Sequence, residues 1–565
     1  MARRSIRGGG KLLSEGGRGG VQFTYPRRKV GQGVARTALR RSTTSAALPD
    51  DLDFCVRHLC IPGEDGTSVA AADVSPQGAM AIRAKVGWHV RITRTAHSIV
   101  WNQLAARHGA RALEDAIWLL ARSEPQFSAY GIPGQVHRWM IAALAMTICA
   151  AFIFWPHLSL DVVAVATGLA FVANAAFRLV LVWIGGRENP WDASNAAHAE
   201  EDWPLYTVLV PLYREAHMMP QIMHAMDALD YPRDRLDIKI IVEADDMPTV
   251  AAADAFAGDL RVQVLKVPQA EPRTKPKATN VALPFARGEF TVIYDAEDRP
   301  EPDQLKKAVR TFRMLSPDVG CLQARLNFYN ADRNILTQLF AADFALWFDY
   351  LLPGLDRVGI PMPLGGTSNH FRTEVLRALH GWDPFNVTED ADLGIRMARV
   401  GKRVRTFDST TFEEATATLN AWLPQRARWL KGYMQTWLVN MRNPLRLWSD
   451  AGSRGFFGFQ LFIGGTVAAA LANPLLWLIY VVQAWGGGDV HPALIAILGG
   501  NLLFIFLSMI GLVRRGWYEF VPAMLFAPLY WLLMSVAGYL ALYDLAVRPF
   551  HWRKTSHGAA VACAP

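Results

Sequence analysis

The chain has 565 residues, 51% apolar and 19% charged, so it is long enough for several folded domains and too apolar to be mainly disordered. Its net charge of +8 arises in residues 1–49, which contain eleven Lys and Arg side chains and a single acid, Glu15. The remaining 516 residues carry a net charge of −2. The basic balance therefore belongs to a tail, and we expect no nucleic-acid partner for the body of the chain.

The tail, residues 1–49, is rich in Gly, Arg and Ser and has no periodic apolar pattern, which predicts disorder. It lacks the apolar core of about 7–15 residues that a secretory signal needs, although its Arg-rich character is compatible with an organelle transit peptide. We favour a cytosolic tail attracted to anionic lipids, because each basic residue near such a surface contributes about 1 kcal/mol.

Residues 50–130 predict a small α/β domain. The segments 67–72 and 90–93 have the composition of short strands, and 100–108 and 112–120 have helical spacing. This pattern resembles the N-terminal domain of type II secretion and pilus ATPases, which some relatives use to bind partners or a cyclic dinucleotide. The resemblance implies an export or regulatory partner; a structural or docking domain without a ligand is the alternative.

Five long apolar runs predict membrane-spanning helices. Each approaches the roughly 20 residues that cross about 30 Å of hydrocarbon, and five runs in one chain are not typical of a soluble protein. We assign two transmembrane helices to residues 137–186 and three or four transmembrane or re-entrant helices to 456–546, followed by a tail, 547–565. Arg178 lies inside the second run, and we expect it to snorkel to the interface beside Arg187. The runs are 139–155, 162–185, 456–485, 492–513 and 520–545.

The Lys and Arg residues of the short loops predict the orientation. Arg138 and Arg187 flank the first pair of runs on one side, whereas the connection 156–161 contains neither residue type. The positive-inside rule then places the region 187–454 in the cytosol. Two prolines interrupt the last run, so it is predicted to be re-entrant or split, which leaves the side of the C-terminal tail open.

The centre of the chain, from residue 203 to about 418, alternates β-rich apolar runs with helical patterns. This alternation is typical of an open α/β sheet. Ligands of such sheets lie at the carboxyl ends of the strands, so the residues that follow each strand are candidates for chemistry. The predicted strands are 206–211, 238–242, 262–267 and 290–294, and the predicted helices include 219–229 and 303–315.

Acidic residues follow three of these strands. Each group alone is also compatible with a turn or a helix cap. Three groups at one sheet edge would repel one another unless a cation or cationic ligand neutralised them, and oxygen ligands of this kind suit Mg²⁺ or Mn²⁺. The groups are Glu215 after the first strand, Glu243, Asp245 and Asp246 after the second, and Asp295, Glu297 and Asp298 after the fourth.

Two motifs lie downstream of the predicted sheet. Thr388-Glu389-Asp390 begins a predicted helix, and Gln425-Arg426-Ala427-Arg428-Trp429 precedes the third apolar run. An acidic D-x-D-like cluster, a T-E-D and a Q-x-x-R-W in this order resemble the membrane-embedded family 2 glycosyltransferases, close to cellulose, hyaluronan and exopolysaccharide synthases. The resemblance covers residues 204–437. It implies an α/β, GT-A (Rossmann-like) domain over residues 203–437, inserted between transmembrane helices.

The resemblance also implies which residues bind the donor. Asp245, alone or with Asp246, would contact the nucleoside. The segment Lys277-Ala278-Thr279-Asn280 is similar to the family's K-A-G-N and would approach the diphosphate. Asp295 would hold Mg²⁺ or Mn²⁺; the second ligand is Glu297 or Asp298, because the D-x-D pattern is irregular here. The donor side then comprises Glu215, Glu243, Asp245, Asp246, Lys277 and Asn280.

On the acceptor side, the resemblance implies that Asp390 is the general base of an inverting transfer, next to Glu389. Arg428 would stabilise charge on the departing diphosphate. Trp429 would stack on the acceptor's terminal sugar, and an interfacial membrane anchor is its alternative role. The remaining acceptor-side candidates are Gln323, Thr367, Ser368 and Gln425.

Together these features imply a membrane-integral β-glycosyltransferase that uses a nucleotide sugar, with UDP as the expected carrier, and extends a polysaccharide processively while exporting it. Its partners would be the donor, a polysaccharide or glycolipid acceptor, and membrane lipids. The C-terminal stretch 550–558 resembles the ending of a bacterial subgroup, which implies the bacterial inner membrane. Two alternatives stay open: a transferase acting on a lipid-linked acceptor, and a catalytically inactive membrane receptor or signalling scaffold.

Overall fold

The computed structural model describes residues 51–63, 68–72, 75–131, 143, 146–147, 149–187, 202–485 and 492–552. The predictions for the basic tail, for most of the first apolar run and for residues 553–565 lie outside the described residues. The domain boundaries given above stay predictions.

The first folded region is a small α/β unit with a three-stranded sheet. Strand β1 pairs antiparallel with β2, and β2 pairs parallel with β3. Its elements are α1 (Leu52–Arg57), β1 (Cys60–Pro62), β2 (Ser68–Ala71), α2 (Pro76–Val86), β3 (Arg91–Arg94), α3 (His97–Ser123) and a 3₁₀ turn at Pro125–Phe127.

One expectation for this unit is wrong, because the two predicted helices form the single helix α3. Gly109 lies where the break was expected, and a Cβ there would contact nothing within 4 Å. A glycine inside a helix costs only about 1 kcal/mol relative to alanine. The apolar stripe that includes Val100, Leu104 and Leu120 is buried along the whole length of α3, and this burial keeps the helix continuous.

The central sheet has eight strands in the order β6-β5-β4-β7-β10-β9-β11-β8. Strands β6, β5, β4 and β7 are parallel, and β10 is antiparallel to both of its neighbours. The predicted strands are confirmed with shifts of one or two residues, and the α/β class is confirmed. The strands are β4 (Tyr206–Leu212), β5 (Leu236–Glu243), β6 (Val262–Val267), β7 (Phe290–Ile293), β8 (Arg299–Pro300), β9 (Val319–Phe328), β10 (Asn369–Arg372) and β11 (Arg403–Glu413).

Helices cover both faces of this sheet, which is why a central strand such as β5 is buried along its whole length. The helices are α5 (Met219–Asp227), α6 (Met247–Asp254), α7 (Lys275–Ala282), α8 (Gln304–Met314), α9 (Ile335–Leu346), α10 (Leu352–Val358), α11 (Thr373–Ala378), α12 (Glu389–Arg399) and α13 (Leu419–Asn440). Short 3₁₀ turns lie at Ala216–Met218, Arg233–Arg235 and Leu283–Phe285, and a π turn, Trp347–Leu351, joins α9 to α10.

Five helical segments among the described residues are long and apolar enough to cross a membrane. Four of them match predicted runs. The fifth, Ile335–Val358, was not predicted, and 67% of its most apolar window is buried inside the protein, so packing explains its composition as well as lipid would. The apolar helices outside the sheet domain are α4 (Pro156–Gly185), α14 (Pro444–Phe459), α15 (Gly465–Trp485), α16 (Pro492–Arg514) and α17 (Ala527–Val547).

The apolar helices pack tightly against the sheet domain. Gly185 of α4 and Gly354 of α10 lie at a close crossing, where a Cβ at either glycine would overlap the backbone of the other segment. Helix α13 packs along α17, and α9 packs against α16. The last predicted run is a 3₁₀ segment, Tyr518–Phe526, followed by α17, so the break expected from its prolines is present.

Candidate active site

One cavity of about 1410 Å³ extends from the carboxyl ends of β4, β5 and β7 to the space between α4, α15 and α16. It brings together most residues that the motifs predicted and leaves others behind its wall. The predicted residues that line it are Glu215, Glu243, Asp295, Glu297, Thr367, Glu389, Asp390, Gln425, Arg428 and Trp429. Those that do not line it are Asp245, Asp246, Lys277, Asn280, Asp298, Gln323 and Ser368.

The two aspartates after β5 have different surroundings. Asp245 is partly exposed and forms a 2.9 Å ion pair with Arg273, a residue of the cavity wall. Asp246 is buried and accepts a hydrogen bond from the backbone N–H of Arg214, which adopts a left-handed backbone (φ 56°). Asp246 therefore fixes the loop after β4, and Asp245 is the aspartate that a ligand could reach.

In the K-A-T-N segment, the side chains of Lys277 and Asn280 form buried polar contacts behind the cavity wall. Lys277 is fully buried, forms a 2.9 Å ion pair with Glu243 and donates to the Ala270 carbonyl at 3.1 Å. Burial raises the pKa of Glu243, and the Lys277 ammonium acts against that rise. Asn280 donates to the carbonyls of Ala116 and Trp382. Neither Lys277 nor Asn280 lines the cavity.

Lys275 is the lysine that faces the cavity, and the motif comparison missed it. Its Nζ lies 2.5 Å from Asp295 Oδ1 and donates to the Gly366 carbonyl at 2.8 Å. Burial would lower the pKa of Lys275, but Asp295, Glu389 and Asp390 outweigh it and raise the pKa. Lys275 stands at the start of α7, two positions before Lys277, the lysine of the K-A-T-N segment. Only the fold shows in which direction each of these side chains points.

Negative charge accumulates beside Asp295. Asp298 is buried; its Oδ2 accepts from the Asp295 N–H at 2.7 Å and from the Thr367 hydroxyl, and its Oδ1 has no partner among the described residues. Burial, and then repulsion by Asp295 and Glu297, raise the pKa of Asp298 well above its ordinary value.

Glu413, at the end of β11, is a further acid of this cluster that sequence reasoning missed. It lines the cavity, and its Oε1 likewise has no partner within the described part of the chain. Burial and then Asp298 and Glu297 raise its pKa. An acid at a strand's carboxyl end was the available signal, but β11 was not among the predicted strands.

These residues fit a metal ion that shares its coordination with a substrate. Among the described residues, no three His, Cys, Asp or Glu side chains are grouped as a complete metal site. Mg²⁺ and Mn²⁺ usually take one or two carboxylates and complete their coordination with phosphate and water. Asp295 and Glu297 are the cavity-lining carboxylates of the D-x-D-like cluster, whereas Asp298 is engaged by the Thr367 hydroxyl.

The T-E-D motif begins α12, as predicted. Glu389 is 6% exposed, and burial together with Asp390 raises its pKa to about 7. Burial also raises the pKa of Asp390. A Cβ at Gly366 would lie 3.3 Å from Asp390 Oδ2, so the glycine keeps the space in front of this carboxylate open.

The Q-R-A-R-W motif lies on α13, whose side chains divide between support and cavity. Arg426 pairs with Asp343 at 3.5 Å and donates to the Tyr530 hydroxyl at 2.8 Å, which ties α13 to α9 and α17. Arg428 faces the carboxylates; burial lowers its pKa, and Glu389 and Asp390 act against that shift. Trp429 lines the cavity while packing on neighbouring aromatic rings.

The C-terminal segment reaches this site, a placement that the sequence did not predict. Lys431 donates to the His551 carbonyl at 2.7 Å, and Gln435 donates to the Pro549 carbonyl at 3.2 Å. Trp552 lines the cavity, with the Arg428 guanidinium 5.3 Å from its ring centre. The segment is therefore anchored to α13 beside the motif.

Polar side chains continue along the cavity between the apolar helices. Arg178 does not snorkel as expected: its Nε donates to Asn174 at 2.8 Å and its Nη2 donates to Thr466 at 3.2 Å. Asn473 and Asn501 are more than nine-tenths buried, line the same cavity, and have side-chain amide atoms without a partner among the described residues. This part of the cavity is polar in an otherwise apolar helix bundle.

The amino-acid sequence of this chain is similar to those of known proteins. Residues 204–432 match the family model described as "Glycosyltransferase like family 2". "Probable glycosyltransferase YdaM" of Bacillus subtilis is 27% identical over 41% of this chain and 56% of its own length. "Glucomannan 4-beta-mannosyltransferase 2" of Arabidopsis thaliana is 28% identical over 41% of this chain and 45% of its own. The chain thus spans about half the length of the curated relatives it matches.

Among solved structures, a mannosyltransferase from Pyrobaculum calidifontis in complex with GDP-Man and Mn²⁺ is similar, with a TM-score of 0.47 and 21% identity. The alignment covers 67% of this chain and 99% of that protein. The family expected from the acidic cluster, the T-E-D and the Q-x-x-R-W is confirmed by the family model. Residues 204–432 therefore match the family 2 glycosyltransferases, and they form a domain with α/β architecture.

Proposed function

We propose that the chain is a membrane-integral, inverting β-glycosyltransferase that moves a sugar from a nucleotide sugar to a growing polysaccharide. The continuous cavity carries this proposal, because it joins the carboxylates at the strand ends to the space between the apolar helices. The names of the plant relatives support a β-linked hexose as the transferred sugar. The N-terminal resemblance to secretion ATPases stays a prediction.

The donor would bind at the carboxyl ends of β4, β5 and β7. Asp245, which forms an ion pair with the cavity residue Arg273, would contact the nucleoside. Lys275 and Arg428 are the cations of the cavity wall whose charges interact with both Asp295 and the Glu389–Asp390 pair, so they would stabilise the diphosphate as it departs. Asp295 and Glu297 would hold Mg²⁺ or Mn²⁺, which when bound supplies positive charge to the leaving diphosphate.

Asp390 is proposed as the general base. It lines the cavity beside Gly366, where an acceptor hydroxyl can approach from the side opposite the diphosphate. Attack by this hydroxyl on the anomeric carbon from the face opposite the diphosphate would form the new glycosidic bond as the sugar–phosphate bond breaks and the nucleoside diphosphate leaves. The configuration of that carbon is inverted by this displacement, and Asp390 would take the proton of the hydroxyl. A positioned base contributes about 10²–10⁴-fold to the rate.

The acceptor and its extended product would occupy the rest of the cavity. Trp429 offers a face for the terminal sugar next to the reacting centre. Farther into the bundle, Asn473 and Asn501 are polar residues of the cavity wall. A polymer that remains in this space after each transfer would be extended again and exported, so the continuity of the cavity into the helix bundle supports processivity and export together.

We place the enzyme in the bacterial inner membrane with its catalytic domain in the cytosol. The basic residues beside the apolar runs support this orientation. A UDP-linked sugar is our first candidate for the donor, and the mannosyltransferase relatives make a nucleotide-linked mannose the second.

A donor screen with Asp390→Asn as the matched control tests the function. The wild-type protein in nanodiscs should form a multi-sugar product from one nucleotide sugar in the presence of Mg²⁺ or Mn²⁺. Asp390→Asn should lower transfer by about 10²–10⁴-fold while still binding the nucleotide. Single-addition products would contradict processivity, transfer to a polyprenyl phosphate alone would favour the lipid-linked acceptor, and equal output from the variant would contradict the base assignment.

Asp295→Asn should weaken nucleotide binding only when the metal ion is present, by about tenfold or more, which corresponds to roughly 1.4 kcal/mol. The reason is the loss of a metal-ligating carboxylate from the cavity wall. Titration calorimetry with and without Mn²⁺ measures the difference, and Asp254→Asn, an exposed ion-pair partner elsewhere on the domain, is the control. An unchanged metal-dependent affinity would overturn the metal assignment.

Transfer should depend on the ionisation of the Glu389 and Asp390 pair. Because burial and Asp390 raise the pKa of Glu389 to about 7, the pair retains a proton in mild acid, and kcat should rise as the pH increases through this value. Glu389→Gln removes a carboxylate that repels Asp390, so the midpoint should move to lower pH. Rate profiles between about pH 5 and pH 9 test this; a midpoint that rises or stays fixed in the variant would contradict it.

A further inference from the structure

Residues 97–131, the last part of the N-terminal unit, cover the side of the sheet domain that lies behind the candidate site. Trp101 of α3 packs on β5, where the Lys239 ammonium lies 3.9 Å from the centre of its ring. Lys239 is fully buried and bonded to Asp237 and Gln263, each at 2.7 Å. A cation buried in this way is stabilised by the ring face, so α3 is a fixed part of the domain surface.

The same helix is bonded to the element that carries the lysines. Asn280 of α7 donates to the Ala116 carbonyl of α3 at 3.1 Å and to the Trp382 carbonyl at 2.7 Å, and it accepts from the Trp382 N–H at 2.9 Å. One buried amide thus joins α3, the helix that begins with Lys275, and the turn before the T-E-D loop.

The segment after α3 holds that loop directly. The Asp383 carboxylate is fully buried and accepts hydrogen bonds from the Ser128 hydroxyl at 3.2 Å, from the Ala129 N–H and from the Phe385 N–H at 3.1 Å. Asp383 stands five positions before Thr388, which caps α12. The N-terminal unit therefore fixes the position of Asp383, where the loop that leads to Asp390 begins.

An aromatic cluster completes this contact. Phe385 packs against Trp118 at 5.4 Å, Tyr130 at 4.8 Å and Phe550 at 5.2 Å between ring centres. Phe550 belongs to the C-terminal segment that reaches the cavity. At the end of α13, Arg442 donates to the Pro125 carbonyl at 2.9 Å and to the Tyr130 carbonyl.

We propose that residues 97–131 are a positioning element of the transferase site, in which Trp118 is the positioning residue and Asp383 is the residue before the T-E-D loop that this element holds. This inference rests on the proposed function. Residues 97–131 contact four segments of the site. These are the loop before Asp390, the helix α7 that begins with Lys275, the residues that follow α13, and the C-terminal segment that contains Trp552. Displacement of the T-E-D loop by even about 1 Å would misplace the base, and misplacement of this size costs up to about 10² in rate.

The test compares Trp118→Leu, Trp118→Phe and Glu114→Gln in the full chain. Trp118→Leu removes the ring contact with Phe385, whereas Trp118→Phe keeps an aromatic face there. Glu114 forms an exposed ion pair with Arg122 on the same helix and serves as the control. We expect Trp118→Leu to lower kcat by about 10- to 10²-fold with KM for the donor unchanged, and Trp118→Phe and Glu114→Gln to match the wild type.

Hydrogen exchange of the peptide spanning residues 383–392 gives a readout that does not need turnover. The leucine variant should exchange faster in this peptide while α2 and the central sheet keep their wild-type protection. Unchanged exchange, or faster exchange throughout the protein, overturns the inference, as does a kcat equal to that of the wild type. If the wild-type protein transfers no sugar, the proposed function fails, and the exchange result still decides whether α3 positions the loop.

Discussion

Repulsion between carboxylates is the constraint on which the centre of this protein depends. Asp295, Glu297, Asp298 and Glu413 crowd one sheet edge, and the Glu389 and Asp390 pair faces them. Two unit charges about 4 Å apart near a protein surface interact by about 4 kcal/mol. Lys275 and Arg428 offset only part of this repulsion. Burial, and then repulsion by the neighbouring carboxylates, raise the pKa values of Asp298 and Glu389.

The surrounding packing keeps these charges close together. Helix α13 is tied to the apolar helices through Arg426, Asp343 and Tyr530, and its Gly432 allows Thr388 to lie directly against it. The C-terminal segment closes over the same helix through Lys431. Elements that are far apart in sequence thus share one wall of the cavity.

Much of this organisation is readable from the sequence, for identifiable reasons. Buried parallel strands give continuous apolar runs, and acids at their ends mark the ligand edge, so β4, β5 and β7 and their acidic clusters were predicted. Such a pattern does not show in which direction a side chain points. Lys277 and Lys275 differ by two positions on a helix, and only packing against Glu243 or Asp295 separates the buried lysine from the cavity lysine. Arg178 was misread for the same reason, because its partners Asn174 and Thr466 lie on two helices.

The bond between Ser128 and Asp383 spans 255 positions of the chain. At a synthesis rate of about 5–20 residues per second, α3 leaves the ribosome roughly 10–50 s before the loop it supports exists. The apolar side chains of α3 that pack on later segments therefore lack these contacts while the rest of the domain is being made. The site is complete only after both partners of this hydrogen bond have been synthesised.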